Sequence, residues 1–159
     1  MRITQQIAKH FREIYFGGNW TCSNVKDQLS NVTWQQATTK VQNVNTIATL
    51  FCHINYYINI VTKVLQGGPL EGHDSLSFTH PPINSKEDWD TLVNTSLINA
   101  ENFAALIEQL PDTILNENIA NEKYGSYYRN LHGIIEHTHY HLGQIAIIKK
   151  MLPHNANKD

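Results

Sequence analysis

Apolar positions recur at spacings of three and four over four separate stretches of this chain, the mark of helices that each bury one stripe. The first stretch covers about residues 2–16 and carries Ile3, Ile7, Phe11 and Ile14, with Gly17-Gly18 as its stop. The second runs from about Asn43 to Gln66 on Ile47, Phe51, Ile54, Ile58, Val61 and Leu65, and Gly67-Gly68-Pro69 ends it. The third begins after Ser85, an N-cap with Asp88 three residues on, a variant of the capping box. Its stripe is Trp89, Val93, Ser96, Ala100, Phe103 and Ile107, and Pro111 follows its end. The fourth runs from about Tyr124 to Leu152 and stops before Pro153.

Residues 19–42 read as a polar linker with room for a short helical turn at Val25 to Leu29. Residues 67–85, with Pro69, Pro81 and Pro82, make a long loop, and residues 111–122 a polar connection. No strand-like alternation, internal repeat or low-complexity tract interrupts the pattern. Four amphipathic helices of about 15–28 residues predict an all-α fold, a four-helix bundle. The two long connections, 17–42 and 67–85, leave room for crossovers, so simple up-down-up-down order is not forced.

Composition narrows the function more than the fold. A chain of 159 residues predicts a single domain, residues 1–159, with a real core. Net charge is −2, from 12 basic and 14 acidic residues, so nothing marks a nucleic-acid or anionic-membrane partner. No apolar run approaches the roughly 20 residues that span a bilayer. Met1-Arg2-Ile3-Thr4-Gln5-Gln6 lacks a signal-peptide apolar region. Cys22 and Cys52 form no Cys-x-x-Cys pair and read as free thiols, which fits a cytoplasmic location.

The chemistry lies in nine histidines, above all in His137-Thr138-His139-Tyr140-His141-Leu142-Gly143-Gln144. His137 and His141 are spaced i, i+4, so a helix stacks them on one face, where both imidazoles can reach one metal ion. With Ile134 at the centre of a wheel turning about 100° per residue, Leu131, Thr138, Ile145 and Ile148 fall within roughly 60°. His141 lies about 20° and His137 about 60° from that centre, facing the core. Glu136, His132 and His139 lie roughly 140–160° away, on the outer face. A third donor is offered by His53, about 100° from Ile54 at the edge of the second helix's apolar face, an edge shared with Thr46, Leu50 and Tyr57. Two inward histidines need partners. One three-histidine site explains all three better than separate core or surface roles. Three neutral imidazoles with an open position are the arrangement of a catalytic metal site.

His53 in the second helix, followed by the late His137-x-x-x-His141-x-Gly143-Gln144, resembles the DinB/YfiT-like metalloenzyme family. Gly17-Gly18-Asn19-Trp20 and the apolar Ile47-Ala48-x-Leu50 before His53 are also similar to family members, so the resemblance covers essentially the whole chain. It implies a DinB-like bundle in up-down-down-up order, and a divalent metal, zinc or nickel, on His53, His137 and His141. It further implies a homodimer, and for some members thiol-dependent transfer or isomerisation with bacillithiol, mycothiol or glutathione. The family name does not settle the reaction.

Further residues carry two readings each. Gln144 either orients a ligand imidazole or caps helix packing. Tyr57 either donates to a substrate oxygen or is a buried core tyrosine, the more economical reading. Cys52 reads as a buried inert thiol, and Trp20, Trp34 and Trp89 as packing residues. His73 and His80 read as surface residues of a loop long enough to cover the site mouth, and His132 and His139 as solvated or at a subunit interface.

Other sites are disfavoured. Glu136-x-x-His139 is half of a di-iron motif, but it occurs once and faces outward. No His-Glu-x-x-His, glycine-rich phosphate loop or Ser/His/Asp signature is present. Three function classes remain. One is a metal-dependent enzyme acting on a small molecule, either a thiol-cofactor transferase or a hydrolase. The second is a non-catalytic metal- or ligand-binding bundle linked to stress. The third is a metal-free helical interaction module.

Overall fold

A computed structural model describes residues 1–153; residues 154–159, which the expected domain included, lie outside the described residues. Among the described residues are six α-helices: α1 (Ile3–Phe16), α2 (Val25–Leu29), α3 (Trp34–Thr38), α4 (Ile47–Leu65), α5 (Lys86–Gln109) and α6 (Tyr127–Met151). Short 3-10 turns at Asp74–Leu76 and Asp112–Asn116 complete the secondary structure, with one isolated bridge between Asn118 and Ser126. The fold is all-α, and among the described residues no helix is long and apolar enough to cross a membrane.

Each long helix starts and stops where local chemistry allows. Gly17 ends α1 at φ +109°, a conformation open to glycine, and its amide donates to the Glu13 carbonyl at 3.0 Å. The α4 helix begins at Ile47, later than the apolar pattern suggests, because Thr46 takes the cap by accepting from the Thr49 amide. Gln42, just upstream, sits at φ +50°, which no continuing helix tolerates. In α5 the Ser85 hydroxyl accepts from the Asp88 amide, while the Asp88 carboxylate accepts from the Asn84 amide rather than closing the box on Ser85. Ser126 caps α6 in the same way through the Arg129 amide, so this helix starts three residues later than about Tyr124.

The long helices pack in a ring, with α1 and α4 each set against both α5 and α6. One cluster of buried apolar side chains joins them, centred on Phe11, Phe51, Ile54, Phe103, Leu131 and Ile145. Burying one such side chain stabilises the fold by about 1.5–3 kcal/mol relative to leaving it in water. Two details correct the sequence reading. Ile3 is 49 % exposed, and Thr4 takes the buried place, its hydroxyl between the Leu110 carbonyl and Asp112. Asp112 also accepts from the Ile3 and Thr4 amides, and the Arg2 guanidinium caps the carbonyl end of α5 at Glu108 and Leu110. Trp20 is 97 % exposed and packs against nothing, because Asn19 turns the chain outward by bonding Glu13 and Ser23 carbonyls through its amide. Trp89 is buried and donates to the Val32 carbonyl at 2.9 Å, tying the 17–42 segment to α5.

The α3 helix was not expected within the polar linker. Its signal is Thr33-x-x-Gln36, a reciprocal capping box in which each side chain accepts from the other residue's amide.

Candidate metal centre

The α4 and α6 helices pack face to face, and this contact decides the site. His53 projects from the edge of the α4 stripe into the seam and is buried, as is His141 on α6, while His137 one turn earlier is half-buried. Their nearest ring nitrogens lie within 4.8 Å of one another. Ring centroids are 4.8 Å apart for His53 and His137, 4.7 Å for His53 and His141, and 4.5 Å for His137 and His141. The three histidines expected to meet do meet.

The hydrogen bonds around them specify where each proton sits. Gln144 Oε1, an acceptor, lies 2.7 Å from His141 Nδ1, so His141 carries its proton on Nδ1 and leaves Nε2 as a lone pair. This bond is the contact that the orienting reading of Gln144 requires. The Ser77 hydroxyl donates its proton to the Asp74 carbonyl at 2.7 Å. It can therefore only accept from His53 Nδ1, 2.9 Å away, which fixes the same tautomer on His53. His53 Nε2 lies 3.0 Å from His137 Nε2 and must accept there, so His137 donates from Nε2. Nδ1 of His137 is then a buried nitrogen with no partner.

Electrostatics disfavour a charge on His137 and His53. Burial, together with the nearby His141 and His53, pushes the His137 imidazole down to about 4. Burial and His141 also lower His53, opposed by Asp74 and the bond to Ser77. No carboxylate belongs to the group, so a bound divalent ion would keep its full charge. The donor chemistry fits such an ion. Two lone pairs are already aimed inward, the third ring can offer its own by moving a proton to the unpartnered Nδ1, and repulsion among the nitrogens would be relieved.

The 67–85 loop contributes what the sequence pattern did not reveal. Ser77 is fully buried behind His53. Phe78 stacks on the His53 ring with centroids 3.9 Å apart and planes 12° from parallel. The Tyr57 hydroxyl donates to Asp74, and the Tyr56 hydroxyl both donates to the His73 carbonyl and accepts from the His73 amide. Tyr57 is thus half-exposed and held by a carboxylate, not a buried core tyrosine; its ring lies 5.1 Å from His137 and 5.2 Å from His53. Burial and Asp74 raise its hydroxyl above the usual value. No spacing rule marks Ser77 or Phe78, since a loop residue meets a helix only through the tertiary path.

The remaining candidates stand apart. Cys52 is half-buried beside His53 in sequence, and burial pushes its thiol up to about 11, as suits an inert residue. His73 is exposed, and His80 bonds the Pro81 carbonyl at 2.8 Å. His132 and His139 are half-buried on the far side of α6, with His139 6.3 Å from His10 of α1. No protein-family model, curated protein or solved structure matches the chain.

Proposed function

We propose that this protein is a divalent-metal-dependent enzyme of the DinB-like kind, acting on a small molecule with His53, His137 and His141 as its metal ligands. The single observation that carries the reading is the convergence of three imidazoles, two of them with Nδ1 set against an oxygen acceptor, with no carboxylate among them. The separation of consecutive long helices α1 and α4 onto opposite places in the ring supports the crossover order of that family. Zinc or nickel suits imidazole donors.

A divalent ion on three neutral ligands supplies Lewis acidity, lowering the pKa of water or of a thiol that it binds. The chain's own residues set the geometry. Gln144 and Ser77 hold protons at the Nδ1 atoms of His141 and His53, which keeps both Nε2 atoms as donors. Phe78 shields one face of His53 from water. Tyr57 and Asp74 form a polar pair at the rim, where a substrate's hydrogen-bonding groups can be met. Two reactions use such a centre: transfer from a low-molecular-weight thiol of the bacillithiol, mycothiol or glutathione type, and hydrolysis of a small molecule. The protein is proposed to act as a homodimer.

A second reading, metal binding without catalysis, draws support from the burial of His53 and His141 and from the Phe78 ring stacked on His53. Elemental analysis of untagged protein tests both. About one metal per chain, lost in the His53→Ala/His137→Ala double variant, supports the site; turnover of thiol-transfer or hydrolytic substrates then separates enzyme from binder. Metal-free protein that takes up neither zinc nor nickel sinks both readings.

A further inference from the structure

Segment 73–78 crosses the back of the candidate centre and is fastened to α4 at four points. Tyr56 holds His73 through both its amide and its carbonyl, at 2.8 and 3.0 Å. Tyr57 holds the Asp74 carboxylate. His53 holds Ser77 at 2.9 Å, and Phe78 lies flat on the His53 ring. All four fastenings on α4 come from Tyr56, Tyr57 and His53, and His53 alone is also a candidate ligand.

Ser77 is the hinge of this arrangement. It is fully buried, its amide and hydroxyl both bond the Asp74 carbonyl, at 3.1 and 2.7 Å, and its oxygen takes the His53 proton. With Ser77 in place His53 has one tautomer, and its Nε2 is a lone pair. If the segment lifts, Nδ1 loses its acceptor, the ring turns freely and either nitrogen can hold the proton. The seated segment and the metal-ready ring are therefore one state.

We infer that Ser77 is a positioning residue whose bond to His53 couples closure of segment 73–78 to occupancy of the three-histidine centre by a divalent metal. This rests on the metal reading above. Coupling is reciprocal: whatever factor the seated segment adds to metal affinity, the metal adds to the equilibrium for keeping the segment seated. A ligand's outer hydrogen-bond partner is worth about 10–100-fold in metal affinity. The segment is thus a reporter and a gate, closed when the centre is loaded and freer to open when it is empty.

The test uses full-length protein and zinc alone. Zinc affinity is measured by competition with a chromophoric chelator for wild type, Ser77→Ala and Ser75→Ala, the last an exposed neighbour whose side chain plays no part in the seam. Hydrogen exchange at the Leu76 and Ser77 amides, which bond within the segment, is followed with and without zinc. The expected result is an affinity loss of about 10–100-fold for Ser77→Ala and none for Ser75→Ala. Zinc should slow exchange at these amides in wild type by a similar factor and leave Ser77→Ala little changed. Wild type that binds zinc with unaltered loop exchange overturns the coupling while leaving the metal centre standing, and does so even if Ser77→Ala fails to fold. Equal affinity in a folded Ser77→Ala overturns it as well. Wild type that binds no zinc removes the metal reading, and the coupling with it.

Discussion

Gln144 accepts the Nδ1 proton of His141 across one turn of α6, at 2.7 Å, so that a single helix supplies both a candidate ligand and the group that orients it. The i, i+3 spacing makes this bond local, and it survives any rearrangement that keeps α6 intact. His53 depends instead on Ser77, 24 residues away along the chain. The two buried candidate ligands are therefore positioned by different means, one from within its own helix and one from a loop.

Gln144→Ala should lower zinc affinity by about 10–100-fold with little loss of helix content. Gln144→Glu keeps the acceptor and makes His141 more basic, so it should bind zinc at least as well as wild type. Competition titration reads both. Equal affinity in Gln144→Ala would return Gln144 to a packing role.

His141→Ala should abolish the effect of zinc on thermal stability. In wild type, zinc at 100 times its dissociation constant should add about 2.7 kcal/mol to the unfolding free energy. Scanning calorimetry with zinc and with chelator checks this, and a variant whose midpoint still rises with zinc would count against the three-ligand assignment.

The pH dependence of the metal-free protein follows from His137. Its folded pKa, about 4, lies below the ordinary 6.5, so between these values the unfolded chain binds more protons. The stability present above about 6.5 is lost as pH falls toward 4, and His53 acts in the same direction. Urea unfolding of chelator-treated protein from pH 7 to 4 should show the decline, and His137→Gln should flatten part of it. Identical slopes in the two proteins would contradict the burial of a neutral imidazole.

The tryptophans make a structural contrast. Trp89→Phe removes the donor to Val32 and should cost about 1 kcal/mol, loosening the 17–42 segment. Trp20→Ser, at a side chain 97 % exposed, should stay within about 0.5 kcal/mol. Denaturant midpoints decide, and a large loss at Trp20 would show that it is covered in solution.

The helical period of the sequence was enough to place four long helices and to turn His137 and His141 inward, because both depend on a regular rotation of about 100° per residue. The pair on α6 is a local consequence of that rotation, legible without any neighbour, whereas the same rotation brought Gln144 near His141 but left packing as an equal reading until the bond was seen. His53 could be placed at an edge, but only the packing of α4 against α6 turned an edge into a shared focus. Capping chemistry, not apolar spacing, set the true starts at Thr46 and Ser126, since an unpaired helix amide weighs more than one further turn. The contributions of Ser77, Phe78 and Asp74 were beyond reach of any spacing rule. A loop has no period, and where it lands is decided by the hydroxyls of Tyr56 and Tyr57 and by the flat face of His53, which exist as partners only once the helices have packed.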